Sequence, residues 1–388
     1  MIKIPPEIEY VLNTLIDSGY EAYIIGGCVR DSLMGIMPHD FDIATSAHPE
    51  NVQDLFEKTV PTGIKHGTVT VISGKTPVEV TTFRTESGYK DSRHPDNIHF
   101  VSSIKEDLSR RDFTVNAIAY NSKNGIVDYF GGQNDIKNSL LRAVGNPQER
   151  FSEDALRILR LFRFASTLNF SCEENTFKAA LKCAPALEKI SRERIFSELY
   201  KAVTGDNFQA FAPLIQNGGL KFIKICKVPD FSIIRSLPSA KIAFFTFLYL
   251  SSEDIHETLE ILKVSNKLKH YCKDLNILIK KDLPETKTQI KSLLCDYSPE
   301  ILFDCLLLKN ILTGSDISVQ RKMLENILEY KEPFLINHLD IDGNTIRKMG
   351  FESVQIGKIL KQLQSVVIEH PEKNNLKDLL IEIKRISQ

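Results

Sequence analysis

The hydrophobic pattern of this chain changes period once, and that change limits the folds open to it. Residues 1–140 mix short β-rich runs with turns, whereas from about residue 150 apolar residues recur at spacings of three and four to the end. Val69-Thr70-Val71-Ile72 and Val78-Glu79-Val80-Thr81-Thr82-Phe83 read as strands because they are rich in β-branched residues, with a Gly/Pro-containing turn between them. Asn124 to Gly132 reads as a turn, a short strand and a second turn. Residues 84–98 hold Gly88, Pro95 and many charges, which predicts a mobile loop. The longest apolar run, Ile242 to Leu250, is too short to span a bilayer and predicts a buried helix. The expected class is α+β, an α/β head followed by an all-helical remainder. Gly205-Asp206 and the stretch near Pro229 and Pro238 are candidate breaks.

The head carries Pro38-His39-Asp40-Phe41-Asp42-Ile43, downstream of Gly26-Gly27-Cys28-Val29-Arg30-Asp31. Residues i and i+2 of an extended strand point to one face, so Asp40 and Asp42 present two carboxylates side by side. Such a pair repels itself unless a cation lies between. Hard oxygen ligands with a phosphate substrate suit Mg²⁺. The glycines let backbone N–H groups approach a phosphate. A phosphate cradle beside a metal pair reads as nucleotidyl transfer. Glu79, on another strand, is the candidate third carboxylate for two Mg²⁺ ions, one activating a hydroxyl and one steadying pyrophosphate.

Three further clusters carry charge at defined spacing. Arg30 follows the glycine turn, where its guanidinium can fork onto a triphosphate, with Asp31 in a structural role. In Arg110-Arg111-Asp112-Phe113, Arg111 is a candidate for phosphate or ribose. Asp112 is a candidate for a ribose hydroxyl or for holding Arg111. Ser152 to Phe164 reads as one helix with an N-cap serine and an acidic first turn. At about 100° per residue, Glu153, Arg157, Arg160 and Arg163 share a face, with Asp154 at its edge. Asp154 and Arg157, at i and i+3, form a donor–acceptor edge. Arginine donates to cytosine N3/O2 or adenine N1, and aspartate accepts from the exocyclic amine of either base. Uracil and guanine place a carbonyl there and are rejected. Arg84, Lys90, Arg93 and His94 in the 84–98 loop are candidate phosphate or RNA contacts. Lys263 to His270 and Lys280-Lys281 are candidate RNA-backbone contacts.

A net charge of −1 argues against a general nucleic-acid binder, so any RNA partner needs a local basic face. The seven cysteines include no C-x-x-C, so neither a zinc site nor a disulfide framework is expected, and a reduced cytosol fits. No charged leader precedes an apolar run, so no signal peptide or membrane association is expected.

The runs GGCVRDSLMG, HDFDIAT, TVPTGIKHGTVTV, VEVTTFR, RRDFTVNAIAY, DYFGG, EDALRILRLFRF and SRERIFSEL follow one another in an order that resembles the bacterial class II tRNA nucleotidyltransferases, the CCA-adding enzymes of the poly(A) polymerase / tRNA nucleotidyltransferase family. The resemblance covers most of the chain. It implies a polymerase-β-like head with a small mixed sheet (1–142), then all-α neck (143–205), body (206–300) and tail (301–388), with the active site between head and neck and the tail binding tRNA. It implies template-independent, stepwise addition of C, C and A to tRNA 3′ ends from CTP and ATP, with Mg²⁺ and release of pyrophosphate, in the cytoplasm. On the matching positions Asp40 and Asp42 would be metal ligands, and Gly27, Arg30 and Arg111 would bind nucleotide. Asp154 and Arg157 would read the base, with Arg160 and Arg163 on the nucleotide side. Arg194 would lie on a helix supporting the pocket.

Glu352-Ser353 stands where the family often has Pro-Gly, and no appended phosphohydrolase-like domain is expected. The length of the 84–98 loop argues against a CC-only enzyme. An A-adding tRNA nucleotidyltransferase is the nearest alternative. A catalytically inactive RNA-binding relative is the alternative of another class, and the intact Asp40 and Asp42 argue against it. The sequence leaves oligomeric state open, a homodimer included.

Overall fold

The computed structural model describes residues 2–87 and 97–387, and the chain folds as two compact units, Met1–Val264 and Ser265–Gln388. The first unit begins with α1 (Pro6–Asp17), β1 (Ala22–Ile25), α2 (Gly27–Leu33), β2 (Asp42–Thr45), α3 (Pro49–Leu55), β3 (Thr59–Gly63), β4 (Thr68–Ser73) and β5 (Thr76–Thr82). Next come β6 (Arg84–Ser87), β7 (Asn97–Phe100), α4 (Ile104–Ser109), β8 (Ala119–Asn121), β9 (Gly125–Val127) and α5 (Gly132–Lys137). The two expected strands fall within β4 and β5.

Seven of these strands form one sheet in the order β3-β4-β5-β2-β1-β8-β9, mixed because β2 runs parallel to β5 and the other pairs are antiparallel. Period-two alternation sorts their side chains between two cores. Ile24, Ile43, Val69, Val71, Val78 and Val80 pack on one face with Ile8, Val11, Leu12 and Leu15 of α1. Tyr23, Ile25, Ala44 and Ala119 pack on the other with Ile104 and Leu108 of α4. The α1 residues recur at i, i+3, i+4 and i+7 behind a proline and an acidic first turn, which is why that segment is an amphipathic helix.

Residues 84–98 depart from the expected loop. β6 and β7 pair antiparallel, Arg84 opposite Phe100 and Thr85 opposite His99, while residues 88–96 lie outside those described. Phe100 fixes the base of this ribbon by packing edge-on to His48, with ring centroids 5.1 Å apart.

The unit continues with β10 (Leu140–Leu141), α6 (Pro147–Glu153), α7 (Leu156–Leu168), β11 (Ser171–Cys172), α8 (Glu174–Cys183), α9 (Arg192–Ala202), α10 (Ala212–Gln216), α11 (Phe231–Arg235), α12 (Ala240–Ser251) and α13 (Ile255–Ile261). β10 and β11 pair parallel. The apolar run 242–250 is the body of α12, buried almost all round as expected. Gly205, at an expected break, is a packing point. A Cβ there would lie 2.2 Å from Ser166 Oγ, so only glycine lets the chain after α9 lie against α7.

The expected single helix from Ser152 is two helices. Asn146 caps α6, Ser152 lies inside it and donates to the Gln148 carbonyl, and Asp154 is extended with φ −137° between α6 and α7. The cause is local competition. Asp154 Oδ1 accepts from the Leu156 amide at 3.0 Å, an aspartate cap that starts α7 afresh.

The second unit is entirely helical among the described residues: α14 (Asn266–Leu278), α15 (Lys287–Asp296), α16 (Pro299–Thr313), α17 (Ser318–Glu329), α18 (Gly343–Lys348), α19 (Ser353–Glu369) and α20 (Leu376–Ile386). Ile346, Ile356, Ile359, Leu363, Leu379 and Ile383 form its C-terminal core. Lys291, 2% exposed, is neutralised by Glu332 at 2.7 Å. Glu352, where a Pro-Gly is common in the family the chain resembles, closes a capping box with Gln355 and starts α19. No described helix is long and apolar enough to cross a membrane.

Candidate active site

The sheet places the acidic residues. Phe41 and Ile43 belong to the α1-side core, so Asp42, the first residue of β2, emerges exposed on the other face, while Asp40 lies just before the strand rather than in it and is exposed as well. Parallel pairing sets Asp42 beside Glu79, which alternates with the same core through Val78 and Val80 and is also exposed. All three carboxylates line one cavity of about 760 Å³ with Glu7, His39 and Thr70. Loss of surrounding water raises the Asp42 carboxyl above its ordinary value, Asp40 adds to that rise, and the Arg111 guanidinium opposes it.

Among the described residues no three His, Cys, Asp or Glu side chains form a closed metal cage. The donor set still fits a hard divalent cation. Mg²⁺ is ordinarily held by one or two carboxylates with water and substrate phosphates. The mutual repulsion of Asp40 and Asp42 is what such a cation relieves.

The glycine turn follows Ile25, which pairs with Asp42 across β1 and β2. Gly26 adopts φ +75°, and a Cβ there would lie 2.9 Å from Arg111 Nη1, so this glycine admits the guanidinium. A Cβ on Gly27 would meet only ordinary contact with Arg30. Arg111 is ion-paired to Asp107 at 3.4 Å, and its buried Nε has no hydrogen-bond partner among the described residues. Arg30 is 8% exposed, pairs with Asp31 at 2.7 Å and donates from Nη1 to Asn116 Oδ1 at 2.6 Å. It is thus fixed by the protein itself.

The expected base-reading edge takes a different form from a side-by-side i, i+3 pair. Asp154 Oδ2 accepts from Arg194 Nη2 at 2.8 Å. Arg157 donates from Nη1 to Glu153 Oε2 and the Arg150 carbonyl, and from Nη2 to the Arg110 carbonyl at 2.9 Å. Arg160 pairs with Asp112 at 2.6 Å, and Arg163 pairs with Glu198. Arg30, Arg160 and Arg163 all lie over the ring of Phe164, at 5.2, 5.2 and 3.9 Å from its centroid. The helix that the pattern presented as having one charged face is therefore buried nearly all round, with its arginines matched to carboxylates from other elements.

Burial works against the Asp112 charge, but Arg160, Asn116 and the Phe113 amide hold its carboxyl down at about 2. A depressed carboxyl contributes stability above its unfolded pKa that is lost as pH falls through the folded value. Between about pH 5 and about pH 2, Asp112 should therefore cost the wild type roughly 2 kcal/mol of unfolding free energy, a loss absent from Asp112→Asn. Denaturant titrations of both proteins across that range check it.

Lys90, Arg93 and His94 lie outside the described residues. Lys263 is 3.0 Å from Glu193, and Lys281 lies over the Tyr297 ring. Asp107, Asn116, Glu198 and Phe164 were not singled out from sequence. Only Asp107 carried a local signal, its spacing of three and four from Arg110 and Arg111 on a helix.

A family model described as the poly A polymerase head domain matches residues 22–142, and one described as a probable RNA and SrmB-binding site of polymerase A matches residues 169–224. The mixed sheet and the acidic residues on its central strands define a polymerase-β-like nucleotidyltransferase. A CCA-adding enzyme of Lactococcus lactis subsp. cremoris (strain MG1363) is 38% identical over 99% of this chain and 98% of its own. The crystal structure of the Bacillus stearothermophilus CCA-adding enzyme in complex with CTP is 30% identical, covers 99% of both chains and superimposes with a TM-score of 0.80. The Thermotoga maritima CCA-adding enzyme complexed with tRNA shares the fold, with a TM-score of 0.66 at 21% identity over 99% of this chain and 97% of that one. The chain belongs to the CCA-adding enzymes.

Proposed function

We propose that this protein adds C, C and A in turn to the 3′ end of tRNA from CTP and ATP, without a nucleic-acid template, through the residues described above. The observation that carries the residue assignment is geometric. Arg111 Nη1 packs against Gly26, which follows Ile25, the partner of Asp42 across the sheet, and its buried Nε has no partner among the described residues, so a cation suited to phosphate lies near a carboxylate suited to metal. Asp40 and Asp42 would hold the divalent cation, Mg²⁺ in this proposal, with Glu79 beside them. When bound, the cation supplies Lewis-acid stabilisation of the reacting phosphate and lowers the pKa of a coordinated hydroxyl. Arg111 offsets charge on the triphosphate, and Gly27, the first residue of α2 behind the Gly26 turn, contacts the nucleotide beside it in this reading. Arg30 holds the turn in shape through Asp31 and Asn116. The tRNA 3′ oxygen bonds to the α-phosphorus, and pyrophosphate leaves.

Asp154 and Arg157 select the base in this reading. Arg194 holds Asp154 with its carboxylate able to accept from a cytosine or adenine amine. Arg157 is steadied by Glu153 and the Arg110 carbonyl, while Asp112, Arg160 and Arg163 brace the helix behind it. The four-part division into head, neck, body and tail and a cytoplasmic location belong to the same proposal.

Purified protein given tRNAs ending before the first C, after one C and after both should extend all three to CCA with CTP plus ATP. Extension of the last alone would establish A addition instead. Nucleotide-resolution gels of the products read the difference.

A further inference from the structure

We propose that Asp107 is a positioning residue that holds the Arg111 guanidinium ready for the triphosphate and, through Arg110, fixes the carbonyl that receives Arg157. This rests on the reading of Arg111 as the phosphate cation.

Asp107 is 1% exposed on α4, a helix held in the core by Ile104 and Leu108. One oxygen, Oδ1, accepts from Arg110 Nε at 3.0 Å, from Arg110 Nη2 at 2.8 Å and from the Arg84 amide at 3.3 Å. The other, Oδ2, accepts from Arg111 Nη2 at 3.4 Å. A single buried carboxylate thus ties the first residue of β6, the end of α4 and the arginine beside the glycine turn. The Arg110 and Ser109 carbonyls at the same helix end accept from Arg157 Nη2 and Arg150 Nη1. Burial pushes the Asp107 carboxyl up, but Arg110 and Arg111 more than offset this and keep it below the ordinary range, so it is ionised at neutral pH.

The geometry separates two tasks. Arg110 takes two short bonds and is locked. Arg111 takes one long bond and keeps a buried Nε without a partner among the described residues. Its guanidinium is oriented but not saturated, which leaves donors for an incoming anion. A preordered donor binds more tightly because less freedom is lost on binding.

The test uses the full chain, with calorimetric binding of CTP, ATP and inorganic pyrophosphate in Mg²⁺. Asp107→Asn should weaken all three by about tenfold, the size of one charge-assisted hydrogen bond. Arg111→Ala should weaken pyrophosphate at least as much, and adding Asp107→Asn to it should change pyrophosphate affinity less than twofold, because Asp107 acts through Arg111. A lowered melting temperature with unchanged pyrophosphate affinity, or fully additive losses, overturns the proposal. If Asp107→Asn does not fold, Asp107→Glu carries the test: it keeps the charge, moves the carboxylate by one methylene and should cost about threefold, with unchanged affinity overturning the idea. If Arg111→Ala itself leaves pyrophosphate binding unchanged, the phosphate reading of Arg111 falls and this inference falls with it. If only the Asp107 variants are silent, the phosphate reading stands without it.

Discussion

Asp42→Ala should abolish incorporation of both CTP and ATP, by roughly 10³-fold or more in kcat, while tRNA binding stays within about twofold. In the proposed function the cation that Asp40 and Asp42 would hold acts on the reacting phosphate and hydroxyl, not on the body of the tRNA. Asp40→Ala should do the same. Both side chains are exposed and alternate with the buried Phe41 and Ile43, so their removal leaves the core untouched. Unfolding free energy should change by no more than about 0.5 kcal/mol, as for other exposed positions. Asp40→Ala also removes a charge that raises the Asp42 carboxyl, so Asp42 should titrate closer to an ordinary carboxylate. Single-turnover incorporation in Mg²⁺, melting curves and filter binding of tRNA check these outcomes. Near-normal turnover by either variant would remove the acidic pair from the chemistry.

What the sequence disclosed about this site followed from local physics. Alternation placed Asp40 and Asp42 on one face, and β-branched runs marked β4 and β5. The position of Glu79 was a different matter. It depends on β5 pairing in parallel with β2, a strand not adjacent in sequence, and alternation says nothing about register between strands. The arginines of α7 show the same division. Their spacing was legible, and so was the i, i+4 pair of Arg157 with Glu153, but Arg160 and Arg163 find their partners in Asp112 and Glu198, which lie 48 and 35 residues away, and no i, i+4 rule reaches that far. The break at Asp154 was hidden because the apolar pattern runs through it unbroken from Phe151 to Phe162. An aspartate cap inside a continuous hydrophobic stripe becomes visible only once Arg194, 40 residues on, holds the other carboxylate oxygen.

In the proposed function that break bears on base choice. Asp154→Ala should reduce discrimination of CTP and ATP against UTP and GTP by about 10²-fold. A site built to hydrogen-bond a group rejects analogues because its own polar atoms are left unpaired, and alanine removes that penalty. Arg194 would lose its bond from Nη2 while its Nη1 is already buried without a partner among the described residues. The Leu156 amide would lose its cap, at about 1 kcal/mol of stability. The stability cost is common to all four nucleotides, so it lowers their rates together and cannot by itself change their ratio. Asp154→Asn sharpens the test. It keeps an oxygen for Arg194 or the Leu156 amide and offers an N–H where the carboxylate accepted, so uracil and guanine carbonyls find a donor and selectivity should move toward them. The ratio of kcat/KM among the four triphosphates, measured on tRNA ending before the first C for CTP and on tRNA lacking only its terminal A for ATP, reads both effects. An unchanged ratio in both variants would assign base choice to a different part of the pocket, since a residue that only capped α7 would alter stability and leave the order of the four substrates as it was.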